Sequence, residues 1–415
     1  MKFDIGTTAY RNNAKQRNLK NGFLYLAFLS LAIVSSYGAF LSVDVPFPAI
    51  LIFLFFMFCY CMCSRDKLIK FTYIPVLLLI RLFIFCVNAL ILDISKATLF
   101  GEITITACSI LLFLCGYNFL SEKKKEIKNV LTLFSLITSI QIIICVITKS
   151  MGNKAEIVAG IGASNYAAGF ILLCVSYLIF IRPGRLEKLV VVLDIIAILA
   201  TQSFGAYSAL TIVLLLFLMK RVNWCSKKVR QKALLLIGLI VVVIIVFFNT
   251  SLGKGAWKKI IDKLFFLLRG DWSNFGSSRL ELFGFSWNNI KRHLLFGTID
   301  NYDISILEGS PRWRFQYART HNVILESLLQ YGLIGSFINI AILCNIGKLG
   351  RKGRNKKRNI HKLAFISCFT AIIIHSMLEP TIFTLHFEVF MWFLIGAYLS
   401  CNRQTKSDFI DGGIR

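Results

Sequence analysis

Between residues 250 and 320 the chain contains no cysteine, although it has twelve in all, each of the others lying in or beside an apolar run. That absence excludes a disulfide framework or a thiolate metal site in the one long polar stretch. Cys59, Cys61 and Cys63, at the end of an apolar run, read as lipid-facing or packed side chains. The same stretch lacks a DxD-like carboxylate pair, and Asp300 with Asp303 makes a poor ligand set, so no metal is expected. No nucleotide signature is visible either, and no cofactor is expected. Nor is there an internal repeat of the kind that marks many secondary transporters. The opening "MKFDIGTTAYRNNAKQRNLKNG" leads into a full apolar span without a small-residue cleavage site, so no removable signal peptide is expected. The residues after Asn402 are too few for a soluble domain.

What is present is apolar surface. Of 415 residues, 56% are hydrophobic, and the mean hydropathy of +0.69 lies far outside the soluble range. Runs of roughly 18 or more apolar residues recur, each long enough to cross a hydrocarbon core of about 30 Å as a helix. They are continuous rather than alternating, which selects a helical bundle over a β-barrel. The pattern predicts an all-α polytopic membrane protein of about twelve transmembrane helices, near 21–41, 46–63, 70–92, 98–120, 128–148, 157–181, 188–201, 204–219, 233–249, 322–346, 362–378 and 381–400. Three regions follow: membrane helices over 1–249, an extracytoplasmic loop over 250–320, and helices with a short cytoplasmic tail over 321–415.

The formal charge of +26 is a topology signal. Alternate connections, with both termini, carry 32 Lys and Arg; the opposite set carries 14, of which 11 fall in the long loop. Long loops are set aside in the positive-inside rule, so the termini are expected inside and the loop outside. "KLGRKGRNKKRNIHK" (348–362) reads as an orientation anchor, and nucleic acid is not an expected partner.

The loop itself has helical periodicity. In "KGAWKKIIDKLFFLLRG", Trp257, Ile260, Ile261, Leu264, Phe265 and Leu268 share one face of an amphipathic helix. "SSRLELFGFSWNNIKRHLLFG" predicts a second helix, capped at Ser278, running to about His293 and closed by Gly297. Breakers at Gly309 and Pro311 then mark a loop in which Arg312, Arg314 and Arg319 crowd before His321, and Trp313, Phe315 and Tyr317 alternate.

"RTHNVILESLLQYGLIG" (319–335) follows. Taken alone, His321 and Asn322 read as the cap of a helix. Gly332 and Gly335 are spaced to let helices approach closely, and Asn322 and Glu326 share a face. The segment as a whole fits H-N-x9-G-x-x-G. This resembles the signature of the O-antigen polymerase and O-antigen ligase superfamily, where it stands at the end of a long extracytoplasmic loop. Ser278, Arg279, Phe283 and Gly297 are similar to that family's loop helix. "GIGASNYAAG" resembles the start of a middle helix, with Asn165 at its asparagine. "LATQSFGAYSAL", containing Gln202, is similar to a turn between two helices, with Phe204 where many members carry arginine. "IHSMLEP", with His375 and Glu379, resembles the last outward-facing turn.

The resemblance implies a C-type glycosyltransferase fold in a bacterial inner membrane. It implies a donor that is an undecaprenyl-diphosphate-linked oligosaccharide, held among membrane lipid, with assembly partners such as a flippase and a chain-length regulator. Moving a glycan off a lipid diphosphate requires cations on the departing diphosphate, and guanidinium suits phosphate. Arg279, Arg319 and Arg314 are the candidates, in that order. The acceptor hydroxyl must lose a proton, for which His321 is the candidate, with Asn322 beside it. Asn165, Gln202, Glu326, His375 and Glu379 are further site-lining candidates. Arg81 and Asp194, inside apolar spans, are divided between ion-pair roles and lining a lipid-phosphate cavity. A polymerase of lipid-linked repeat units is favoured over a ligase acting on lipid A-core, with a polysaccharide-unit transporter as a third reading.

Overall fold

The computed structural model describes residues 19–32, 47–63, 72–94, 96–119, 124–149, 158–159, 162–181, 184–221, 279–298, 320, 322–351, 356–378 and 385–403, with isolated positions between 231 and 269. The candidates His321, Arg314, Arg319 and Glu379 lie outside the described residues, as do the expected helix at 233–249, the amphipathic helix of the loop beyond scattered positions, and the alternating aromatics.

The elements in chain order are α1 (Leu19–Ala32), then α2 (Phe47–Met62), α3 (Tyr73–Ile91), α4 (Lys96–Phe119), α5 (Lys124–Lys149), the strands β1 (Val158–Ala159) and β2 (Gly162–Ala163), α6 (Ser164–Phe180), α7 (Arg185–Ala200) and α8 (Phe204–Arg221). There follow α9 (Arg279–Arg292), α10 (Val323–Arg351), α11 (Lys356–Ser376) and α12 (Leu385–Arg403). Among the described residues, four helices are long and apolar enough to cross a membrane: α3, α4, α5 and α10. The shorter helices α1, α2, α6, α8, α11 and α12 each carry an apolar stretch.

Where they fall on described residues the expected spans are helical, one of them with a changed start, while the expected span at 233–249 lies outside the described residues. The stretch expected to open a helix at 157 instead pairs Val158 with Ala163 and Ala159 with Gly162 in a two-stranded antiparallel turn, and α6 begins at Ser164. Three glycines within 159–169 weaken a helix there, and a tight reversal needs few residues.

Between lipid-facing helices no hydrophobic force favours association, so close packing and small residues must hold the bundle. The tightest seam joins α4 to α12. A Cβ added at Gly116 would stand 2.8 Å from the Ala397 nitrogen, and one at Gly396 would stand 2.8 Å from the Tyr117 nitrogen. Each glycine therefore admits the backbone of the other helix. Around this seam aromatic rings interlock: Phe134 with Phe390 at 4.9 Å, Phe170 with Phe387 at 5.0 Å and Phe28 with Phe393 at 5.1 Å between centroids. The first, fifth, sixth and last helices thereby share one core. Cys61 Sγ lies 3.1 Å from Cys115 Sγ where α2 meets α4, so that cysteine is packed against a partner.

Candidate active site

The segment carrying the His-Asn pair is a broken helix. Within α10, Gly332 has φ 61° and ψ −166°, a conformation essentially closed to residues with a Cβ, and the helix stops and restarts around it. Residues 323–331 (α10a) and 333–351 (α10b) meet at an elbow. Ser327 Oγ lies 3.0 Å from Ser336 Oγ, and Asn339 Nδ2 donates to Ser327 Oγ at 3.1 Å. In a straight helix twelve residues span about 18 Å, so these contacts require the two halves to fold toward each other. Only α10b, 19 residues long, has the reach of a membrane span, about 28 Å. The expected single span over 322–346 is corrected accordingly.

The break exposes backbone groups that a membrane cannot satisfy, and the turn after α9 supplies their partners. Leu333 N donates to Leu294 O (2.9 Å) and Ile334 N to Leu295 O (3.1 Å), while Leu329 O accepts from Thr298 N at 2.7 Å. Gly297, at φ 82°, allows that turn to lie against Gly332: a Cβ on Gly297 would be 2.6 Å from the carbonyl of Gln330. Asn88 of α3 locks the turn from behind, its Nδ2 donating to Phe296 O at 2.9 Å and Gly297 O at 3.0 Å. Gly332 thus admits a turn, not a neighbouring helix. Gly335 meets the other half of the elbow rather than a neighbouring helix, because the nearest atoms to a Cβ there would be those of Tyr331 at the end of α10a, its Cγ at 3.4 Å.

At the other end of α10a, Asn322 caps the helix, its Oδ1 accepting from Ile324 N at 3.0 Å and Leu325 N at 3.1 Å. Its Nδ2 donates to Met377 O at 3.3 Å, in the turn that follows α11. That turn also meets the one between α7 and α8. A Cβ on Gly205 would be 3.3 Å from Cβ of Leu378 and 3.5 Å from Cδ2 of His375. His375 is fully buried, and Gln202, buried in the turn between α7 and α8, takes a positive φ of 53°. Asn322, His375 and the head of α8 at Gly205, three residues after Gln202, therefore gather around residues 375–378. Asn165 lies in the first turn of α6, with its Oδ1 buried and unpartnered among the described residues. Arg279 is the first residue of α9, the helix whose following turn heals the elbow; its side chain is outside what is described.

Glu326 is fully buried. Its Oε2 accepts from Thr320 N and lies 2.9 Å from Thr320 Oγ1, and its Oε1 accepts from Gln330 Nε2 at 2.9 Å. Thr320 Oγ1 is also 2.9 Å from Asn322 O. The carboxylate accordingly ties down residues on both sides of position 321.

Inside the elbow is a cavity of about 390 Å³, whose walls are almost wholly apolar. Val323 and Leu328 of α10a, Phe337 and Leu343 of α10b, Met377 and Trp392 line it. Phe337, Leu343 and Ile373 are half exposed at its rim, so it opens toward the outer surface of the bundle. Arg81 and Glu388 also reach its wall. Sequence reasoning singled out Arg81 but missed its partners. Its Nη1 donates to Asn339 Oδ1 at 3.3 Å, its Nη2 lies 3.6 Å from Glu102 Oε1, and its guanidinium sits 4.9 Å from the centre of the Tyr331 ring. Tyr331 in turn donates to Glu102 Oε1 at 3.0 Å. This clasp joins α3 and α4 to both sides of the break. Asp194 does not meet Arg81: it accepts from Ser139 Oγ at 2.7 Å, between α7 and α5.

Fold and site define an integral membrane protein, helical in its described spans, in which polar residues from separate stretches gather at one end of a broken helix. Residues 189–340 match the family model described as O-antigen ligase, a stretch that contains the His-Asn pair and both glycines of the motif. Over that stretch, 152 of the 415 residues, the chain is similar to the O-antigen polymerase and ligase superfamily. No curated protein matches the chain.

Proposed function

We propose that the protein is an outer-leaflet glycosyltransferase that polymerises lipid-linked oligosaccharide units. The donor is a glycan on undecaprenyl diphosphate, the acceptor a sugar hydroxyl of the next unit, and the product O-antigen or capsular polysaccharide. The observation that carries this reading is the half-helix α10a, which lies within the matched O-antigen ligase stretch and lines an apolar cavity that suits the hydrocarbon chain of such a donor.

In the proposed reaction the acceptor oxygen bonds to the anomeric carbon as the carbon–oxygen bond to the diphosphate breaks. The bonding pair leaves with the diphosphate, whose charge Arg279, Arg319 and Arg314 offset. The acceptor's proton passes to His321, and Asn322 helps to place the hydroxyl. The transfer draws on the diphosphate bond and is metal-independent. Both termini lie in the cytoplasm and the 250–320 loop outside, with membrane regions on either side of it.

The family description is equally compatible with a second reading, a ligase in which the glycan of the same donor is transferred to lipid A-core. Reconstitution with a synthetic lipid-diphosphate oligosaccharide tests both, with and without chelator, reading product length. Lengthening chains on lipid support the polymerase. Transfer only when lipid A-core is supplied supports the ligase, and no transfer to either acceptor removes both.

A further inference from the structure

We infer that Glu326 is the positioning residue of this site, a buried carboxylate that fixes the chain on both sides of position 321 and takes no part in proton transfer. The inference rests on the proposed glycosyl transfer for its kinetic consequence and on geometry alone for its structural one.

A carboxylate with no exposed surface is costly unless its oxygens are hydrogen-bonded. Here the bonds are directed backward. Oε2 accepts the Thr320 backbone N–H and faces its hydroxyl, six residues upstream, while Oε1 accepts from Gln330 within the same half-helix. The first turn of α10a does not need Glu326 as a cap, because Asn322 already serves the free N–H groups of Ile324 and Leu325. What Glu326 adds is a tether from the rigid half-helix to the residue where the long loop arrives. Thr320 passes the constraint on, its hydroxyl lying 2.9 Å from Asn322 O as well, so that one proton serves two acceptors in turn. Thr320 and Asn322, the two neighbours of position 321 in the chain, are thereby both held, and a group placed within a fraction of an ångström is what proton abstraction from a hydroxyl requires.

Glu326→Ala should lower kcat about ten- to a hundredfold, with KM kept within about twofold because substrate contacts are untouched. Glu326→Gln, which still offers an oxygen to the Thr320 N–H, should recover most of that loss and keep the pH profile of kcat unchanged. Thr320→Val should lower kcat alone, and adding it to Glu326→Ala should cost nothing more, since both cut the same tether. A loss of the acid limb in Glu326→Gln would make Glu326 the base and overturn the inference; so would unchanged kcat in Glu326→Ala and Thr320→Val.

A second arm needs no activity. The 250–320 loop has no cysteine, so His321→Cys can be labelled from outside by an impermeant maleimide in the full-length protein. Adding Glu326→Ala should change the labelling rate severalfold, and an unchanged rate overturns the tether. A changed rate in a protein whose wild type transfers no glycan would refute the proposed function and leave the tether standing.

Discussion

At the scale of single residues, the two ends of Asn322 do different work and can be separated. Its oxygen caps α10a and its nitrogen reaches Met377 O across to the turn after α11. Asn322→Asp keeps the cap and loses the cross-tie; Asn322→Ala loses both. Thermal unfolding in detergent should show Asn322→Ala destabilised by about 1 kcal/mol and Asn322→Asp nearly unchanged. Glycan transfer should fall in both; equal stability of Asn322→Ala and wild type would remove the cap from the account. His321→Ala and Arg279→Ala should abolish polymer at undiminished levels of inserted protein, whereas Arg351→Ala, at the far end of α10b, should change little. Full activity in the first two would end the assignment of the site. The cap at Asn322 was legible because a short polar side chain at a helix start takes up the free N–H groups of the first turn. The partner of Glu326 was not, since a hydrogen bond running back six residues from a helix to a loop leaves no periodic trace.

Among elements, the elbow of α10 is the organising one. Sequence reading placed Gly332 and Gly335 in register but took the helix as straight, so their spacing read as one face packed on a neighbour. The break depends on a partner 35 residues earlier, the turn ending at Gly297, and hydropathy records nothing of that pairing. Gly332→Ala should be the more harmful of two glycine substitutions. It forces a Cβ into a glycine-only conformation at a cost of about 1–3 kcal/mol, before its clash with the turn is counted. Gly347, with open space around it in α10b, is the control: Gly347→Ala should be neutral or stabilising by about 0.5–1 kcal/mol. The Arg81 clasp belongs to this scale too. Arg81→Ala strands Glu102 near the bundle interior and should destabilise by about 3–5 kcal/mol. Arg81→Met combined with Glu102→Gln should regain a large part of that, as read from the melting temperature; no recovery would argue that the guanidinium serves something other than Glu102.

For the whole molecule, the charge bias makes a claim that labelling can check. Single cysteines placed in the 348–362 segment should be shielded from an impermeant reagent in intact cells, and ones placed in the 299–319 segment should react; the reverse pattern would invert the topology and put the His-Asn end on the wrong side for a lipid-linked donor. Spans were the most legible part of this protein because hydrocarbon demands unbroken apolar length. Their neighbours were not, and the α4–α12 seam is the clearest instance, as Gly116 and Gly396 are 280 residues apart in the chain. That seam has a consequence for biogenesis. A helix inserted early keeps its glycine groove vacant until residues 385–403 have left the ribosome, and the aromatic core waits with it. A nascent chain stopped before residue 385 would sit in the bilayer inserted yet unsealed, recognisable to quality-control proteases by an early helix still awaiting its later-made mate.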